Sequence, residues 1–147
     1  MKKIFIIIPI LLFGFIAFPQ QSPNEIVDQF FEEFETKGSS VALDNLYKPN
    51  KWMSRNTDAI AQLKSQIEGL NEDYVGKYYG YEFILEKKLA DSYILMSYLV
   101  KYDRQPIRFT FQFYKPNKDW IIYSFKYDGA VDAEIEETAK LYNFRLN

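Results

Sequence analysis

Ile107-Arg108-Phe109-Thr110-Phe111-Gln112-Phe113-Tyr114 alternates without interruption between large apolar side chains and polar or hydroxyl-bearing ones. A period of two is the signature of a strand. It sends Ile107, Phe109, Phe111 and Phe113 to one face, and Arg108, Thr110, Gln112 and Tyr114 to the other. Three more runs rich in aromatic and β-branched residues surround it: Tyr81 to Leu89, Tyr93 to Tyr102 and Trp120 to Tyr127. The links Ala90-Asp91-Ser92, Asp103-Arg104-Gln105-Pro106 and Pro116-Asn117-Lys118-Asp119 have turn chemistry. Links so short join antiparallel neighbours, so the runs form a curved four-stranded meander. In the first run, Tyr81, Phe83, Leu85 and Leu89 are expected opposite Glu82, Ile84, Glu86 and Lys88. The second and fourth runs carry large side chains on both faces. Both sides of the sheet are therefore expected to be covered in the middle, one by helices and the other in part by a second subunit.

Upstream of the sheet the period is helical. Ser22-Pro23-Asn24-Glu25 has the form of a capping box with proline in the first turn. Ile26, Val27, Phe30, Phe31 and Phe34 then recur on one helix face, with Asp28, Glu32, Glu33 and Glu35 expected largely on the other and Gly38 as the stop. Val41, Leu43 and Leu46 mark a second helix over residues 40–47, ended by Pro49. A third, marked by Ile60, Leu63, Ile67 and Leu70, starts at Asn56 or Thr57. Asp132 to Tyr142 is expected to be a short acidic helix with a solvated face. The fold class is α+β: N-terminal helices packed on a curved antiparallel four-stranded meander.

Lys2 and Lys3 precede an uncharged apolar run from Ile4 to Phe18. That run is short for a bilayer span of roughly 20 residues, so residues 1–20 are expected to be a secretory signal peptide, with an uncleaved anchor as the alternative. Residues 21–147 are then a single exported domain, periplasmic or extracellular, which meets a membrane only if the leader stays attached. Without Lys2 and Lys3 the 18 basic residues fall to 16 against 20 acidic ones, a formal charge of −4. Nucleic acid is therefore not an expected partner, because phosphate-backbone affinity comes from clustered Lys and Arg. Thirteen Phe and twelve Tyr supply core material, while the absence of cysteine leaves no disulfide to hold so small an exported domain.

A helical hairpin, a third helix and an aromatic meander, in that order, resemble the layout of the nuclear-transport-factor-2-like superfamily, the cystatin-like α+β cone. The local pattern is similar too: Phe30-Phe31, Ala42-Leu43-Asp44-Asn45-Leu46-Tyr47, Gly80-Tyr81-Glu82, and Phe113-Tyr114-Lys115 with Trp120. The resemblance covers about residues 23 to 127. It implies a helix-lined cavity against the concave sheet, in a family whose members range from isomerases and dehydratases to plain binding modules. Such a fold alone fixes no function.

The chain has no His and no Cys, which excludes Ser-His-Asp and Cys-His sites, thiolate nucleophiles and imidazole–thiolate zinc sites. No metal site or cofactor is expected, and Asp128-Gly129-Ala130-Val131-Asp132 lacks the alternating oxygen ligands of a calcium loop. Enzymatic chemistry would need a desolvated carboxylate, from Glu82, Glu86 or Asp103, beside a Tyr donor, as in a steroid-isomerase type of site. For an anionic or polar ligand group the candidate cluster is Arg108, Gln112 and Tyr114 with Tyr98 on the neighbouring strand, and Glu82 close by. Trp52 and Trp120 are expected as core or rim anchors. The leading expectation is a noncatalytic exported domain that binds a small apolar or amphipathic ligand, or a protein partner, in or beside the helix–sheet cleft. The alternatives are a carboxylate–tyrosine isomerase or dehydratase, and a dimerising structural module joined through the sheet. N-terminal sequencing of the exported protein is expected to start near residue 21; a start at Met1 would overturn the cleaved leader.

Overall fold

A computed structural model describes residues 21–53 and 55–145; the leader reading of residues 1–20 lies outside them. The element order is α1 Pro23–Lys37, α2 Ser39–Tyr47, α3 Thr57–Glu68, α4 Glu72–Val75, β1 Tyr78–Leu89, β2 Tyr93–Tyr102, β3 Ile107–Tyr114, β4 Ile121–Asp128 and α5 Val131–Arg145. The fold is α+β, and the strands form one antiparallel sheet in the order β1-β2-β3-β4. No helix among the described residues is long and apolar enough to cross a membrane.

The start of α1 follows from local chemistry. Ser22 Oγ accepts from the Glu25 backbone N–H at 3.3 Å, while Glu25 Oε2 accepts from Ser22 N–H at 2.6 Å, and Pro23 needs no donor partner in the first turn. Val27, Phe30 and Phe31 are buried as the periodicity predicts, but so is Glu33, which was expected on the solvent side. In α2 the buried set is Ala42, Leu43, Leu46 and Tyr47; Val41 turns outward. Asn56 precedes α3 without a side-chain capping bond. The short α4 was not expected; Asn71 caps it by accepting from Tyr74 N–H at 3.1 Å. It ends at Gly76, whose φ is +85° and where a Cβ would lie 2.7 Å from the Asp103 Cβ, so the β2–β3 link passes too close for any other residue.

Register decides which side chains share a face. Tyr98 pairs with Phe109, and Phe109 with Tyr127, so all three face the helices; Leu99, Arg108 and Asp128 align on the outer face. The alternation expected for β1 fails halfway. A bulge between Phe83 and Leu85 inserts an extra residue, after which Leu85 pairs with Ser97 and Leu89 with Tyr93 on the outer face, while Glu86 and Lys88 turn to the inner one. Register also shifts between Tyr78 and Tyr81 at the start of β1, and between Gln112 and Phe113, where it offsets the start of β4.

Between helices and sheet the space is filled by rings. Phe30 lies edge-on to Phe111 at 5.1 Å, Phe31 stacks on Tyr81 at 3.7 Å, and Phe125 meets Phe109 at 5.1 Å and Phe111 at 5.0 Å. Rings thus occupy the centre of the space between the helices and the concave sheet. The turn after α2 is tied to the sheet by Asn50, which is buried. Its amide donates to the Ile122 carbonyl at 2.7 Å, and its Oδ1 accepts from Trp52 N–H at 3.1 Å and Met53 N–H at 3.2 Å. Removing the amide strands buried polar groups at both ends of the link. Asn50→Ala is therefore expected to destabilise the domain by about 2 kcal/mol, read by urea unfolding; a loss below about 0.5 kcal/mol would show that the turn is held by packing alone.

Candidate functional site

The residues singled out from the sequence do not form one site. Tyr98 faces the core, against Phe31, Tyr81, Phe83 and Phe111, because it pairs with Phe109 rather than Arg108. Its hydroxyl pKa is pushed up to about 12, chiefly by burial and then by Asp28, Tyr81 and Glu86 nearby. Arg108, Gln112 and Tyr114 do share the outer face, but at about 3.3 Å per residue Arg108 and Gln112 are roughly 13 Å apart along the strand. Gln112 accepts a hydrogen bond from the Tyr93 hydroxyl at 3.0 Å, and Tyr114 lies half-exposed opposite Tyr93. Glu82 is also on the outer face, two strands from Arg108, and pairs with Lys101 at 2.8 Å.

Of the other carboxylates named for acid–base chemistry, Glu86 lies on the inner side of β1 but is paired with Lys88 at 3.0 Å, and Asp103 is exposed in the β2–β3 link. Trp52, expected as an anchor, is exposed and flanked by Lys51 and Arg55, each 5.3 Å from its ring; Trp120 does pack against the core.

Arg108 marks one end of a groove. Its Nε and Nη2 donate to the Asp128 carboxylate at 3.0 and 3.1 Å, a two-pronged pair, and its Nη1 donates to Glu134 at the start of α5. One cation thus faces two carboxylates, so an anionic ligand finds no net attraction there. The outer face, where a second subunit was expected, is met at this end by the chain's own C-terminal helix. Between α5 and the sheet lies an open space of about 590 Å³, walled by Ile84, Leu99, Val131, Ile135, Ala139 and Tyr142. Ile135 and Tyr142 remain 66% and 65% exposed although they front Ile84 and Leu99, so the two apolar surfaces do not close on one another.

A second cleft, about 560 Å³, opens beside the helical hairpin and the β3–β4 turn. Its floor holds Glu33, whose side chain is only 8% exposed. Asn45 Nδ2 donates to both of its oxygens at 3.0 and 2.9 Å, and Oε1 also receives Lys37 Nζ at 3.2 Å and Gln29 Nε2 at 3.4 Å. Desolvation raises the pKa of Glu33, but the donors from Asn45, Lys37 and Gln29 outweigh it and hold the group below the usual carboxylate value. Sequence reading placed Glu33 with the solvated acids. The signal was its spacing: seven residues after Ile26 and three after Phe30, it continues the edge of the apolar stripe.

On the opposite flank, the hydroxyls of Tyr78 and Tyr102 are buried and meet no hydrogen-bond partner among the described residues. Burial pushes both tyrosines' pKa values up, that of Tyr102 to about 12. Comparison with protein-family models, curated proteins and solved structures finds no match to this chain.

Because the folded pKa of Glu33 lies below its unfolded value, its contribution to stability is fully present above about pH 4.5, the ordinary carboxylate value, and is lost as pH falls through the folded pKa. Thermal melts from pH 7 to pH 3 are expected to show a steeper acid loss in the wild type than in Glu33→Gln. Parallel curves would show that the ionised carboxylate contributes nothing.

Proposed function

We propose that this chain is an exported, noncatalytic binding domain that takes a small molecule with an extended apolar body in the groove between α5 and the outer face of the sheet. The carrying observation is the pair of apolar surfaces, Ile84 and Leu99 on the sheet and Ile135 and Tyr142 on the helix, that face each other without packing. The groove volume of about 590 Å³ falls in the range of small-molecule sites, roughly 300–1,000 Å³. An apolar occupant would gain about 25 cal/mol for each Å² it removes from water. Arg108, already matched by Asp128 and Glu134, fixes the helix end rather than recruiting an anion. The order of hairpin, helix and meander supports membership in the nuclear-transport-factor-2-like group, with ligand space on the outer sheet face because rings fill the inner one. The apolar run after Lys2 and Lys3 supports export.

The test is a titration of the full chain with the neutral fluorophore N-phenyl-1-naphthylamine. Saturable enhancement is expected. Ile135→Ser removes an exposed apolar contact without touching the core, and is expected to weaken binding about tenfold, near the 1.4 kcal/mol that loss of one or two buried methylenes costs. Trp52→Ala, remote from the groove, should leave it unchanged. No saturable binding, or equal binding by Ile135→Ser, would overturn the proposal; a chain that ignores the probe but forms a dimer in sedimentation would favour a dimerising module instead.

A further inference from the structure

The cleft beside the helical hairpin has chemistry of a different kind from the α5 groove. It sets an ionised, buried carboxylate against an apolar wall. Ile26, Phe30, Leu46, Ile122 and the half-buried Trp120 line one side, while Glu33 with Asn45 and Gln29 forms the polar floor.

The hydrogen bonds on Glu33 are unevenly shared. Oε1 receives Gln29, Lys37 and Asn45, whereas Oε2 receives only the Asn45 amide. A carboxylate has about four acceptor positions over its two oxygens, so Oε2 retains room for a donor coming from the cleft. Among the described residues the one cation that touches Glu33 is Lys37, a neighbour one turn along α1 whose own side chain is 54% exposed. Its ammonium is held largely in water, which screens the charge it brings to the buried carboxylate. The donors on the cleft side, Asn45 and Gln29, are neutral. The buried negative charge is therefore hydrogen-bonded but weakly neutralised. Asp119 and Lys48 also line the cleft, one charge of each sign, and Lys115 is occupied over the face of Trp120 at 4.9 Å. A cation delivered along the apolar wall would meet the under-compensated carboxylate in a partly desolvated setting, where a charge-assisted hydrogen bond is strongest.

We propose that this cleft binds an amphipathic primary amine, its ammonium donating to Glu33 Oε2 and its apolar tail lying along Ile26, Phe30, Leu46 and Trp120. The site is independent of the α5 groove. The same geometry places a full charge at the floor of an open cleft, where a ligand cation can reach it.

The experiment uses the full chain carrying Trp52→Phe, so that emission reports Trp120, titrated separately with octylamine, octanol and octanoate below their aggregation concentrations. Octylamine is expected to bind at least tenfold more tightly than octanol, with octanoate weakest. In Glu33→Gln the amine should fall to the affinity of octanol while octanol itself binds as before. Lys37→Met, which removes the competing side-chain cation from the solvent side, should tighten the amine about twofold or more. Ile135→Ser should leave the amine preference intact, which separates this site from the α5 groove. An amine no better than the alcohol in the wild type, or a Glu33→Gln variant that weakens all three ligands alike, would overturn the assignment and leave Glu33 as a tie between two helices.

Discussion

The packing of the Phe30 and Phe31 rings from α1 into the inner face of the sheet is the contact on which the remainder depends. Phe30 lies within 6.3 Å of Phe109, Phe111 and Phe125, and Phe31 is sandwiched between Tyr81 and the β3 rings. Edge-to-face and offset contacts of this kind add about 0.5–1.5 kcal/mol per pair beyond the area they bury. A domain with no cysteine for cross-linking is held by this ring cluster. The same density has a spatial consequence. Rings fill the centre of the space between helices and sheet, so open space lies toward the margins, among them the hairpin cleft at one side of the core and the α5 groove on the outer face.

Which residues reach those margins is settled by strand parity. The bulge after Phe83 brings Leu85 and Leu89 onto the outer face and turns Glu86 and Lys88 inward. One inserted residue thereby makes the outer face more apolar and places a charged pair at the inner sheet edge. Tyr98 and Leu99 illustrate the other half of the rule. Adjacent in sequence, they lie on opposite sides of the sheet, one among core rings and the other in the groove.

The two margins also differ in how charge is balanced. At Arg108 the cation is gripped by a bidentate carboxylate and touched by a second acid, so electrostatics there anchor α5 and leave the ligand surface to apolar contact. At Glu33 a buried anion meets mainly neutral amides and one solvated lysine. A buried charge is retained only when its surroundings stabilise the charged form. Here hydrogen bonds accomplish that, without neutralising it.

The sequence by itself determined the elements: the capping box at Ser22, the strand limits of β2, the antiparallel meander and the acidic C-terminal helix all follow from local periodicity and turn chemistry. Those signals act over a few residues, within reach of composition and spacing. Short α4 was hidden because four residues carry no readable period. The sites were decided only in three dimensions. Strand register put Tyr98 on the far side of the sheet from Arg108, and a single bulge inverted half of β1. Helix docking buried Glu33 against Asn45, and the return of α5 over the sheet matched Arg108 with Glu134. Each depends on how separate elements meet, and no local pattern of hydrophobicity records which of two faces such a partner will approach.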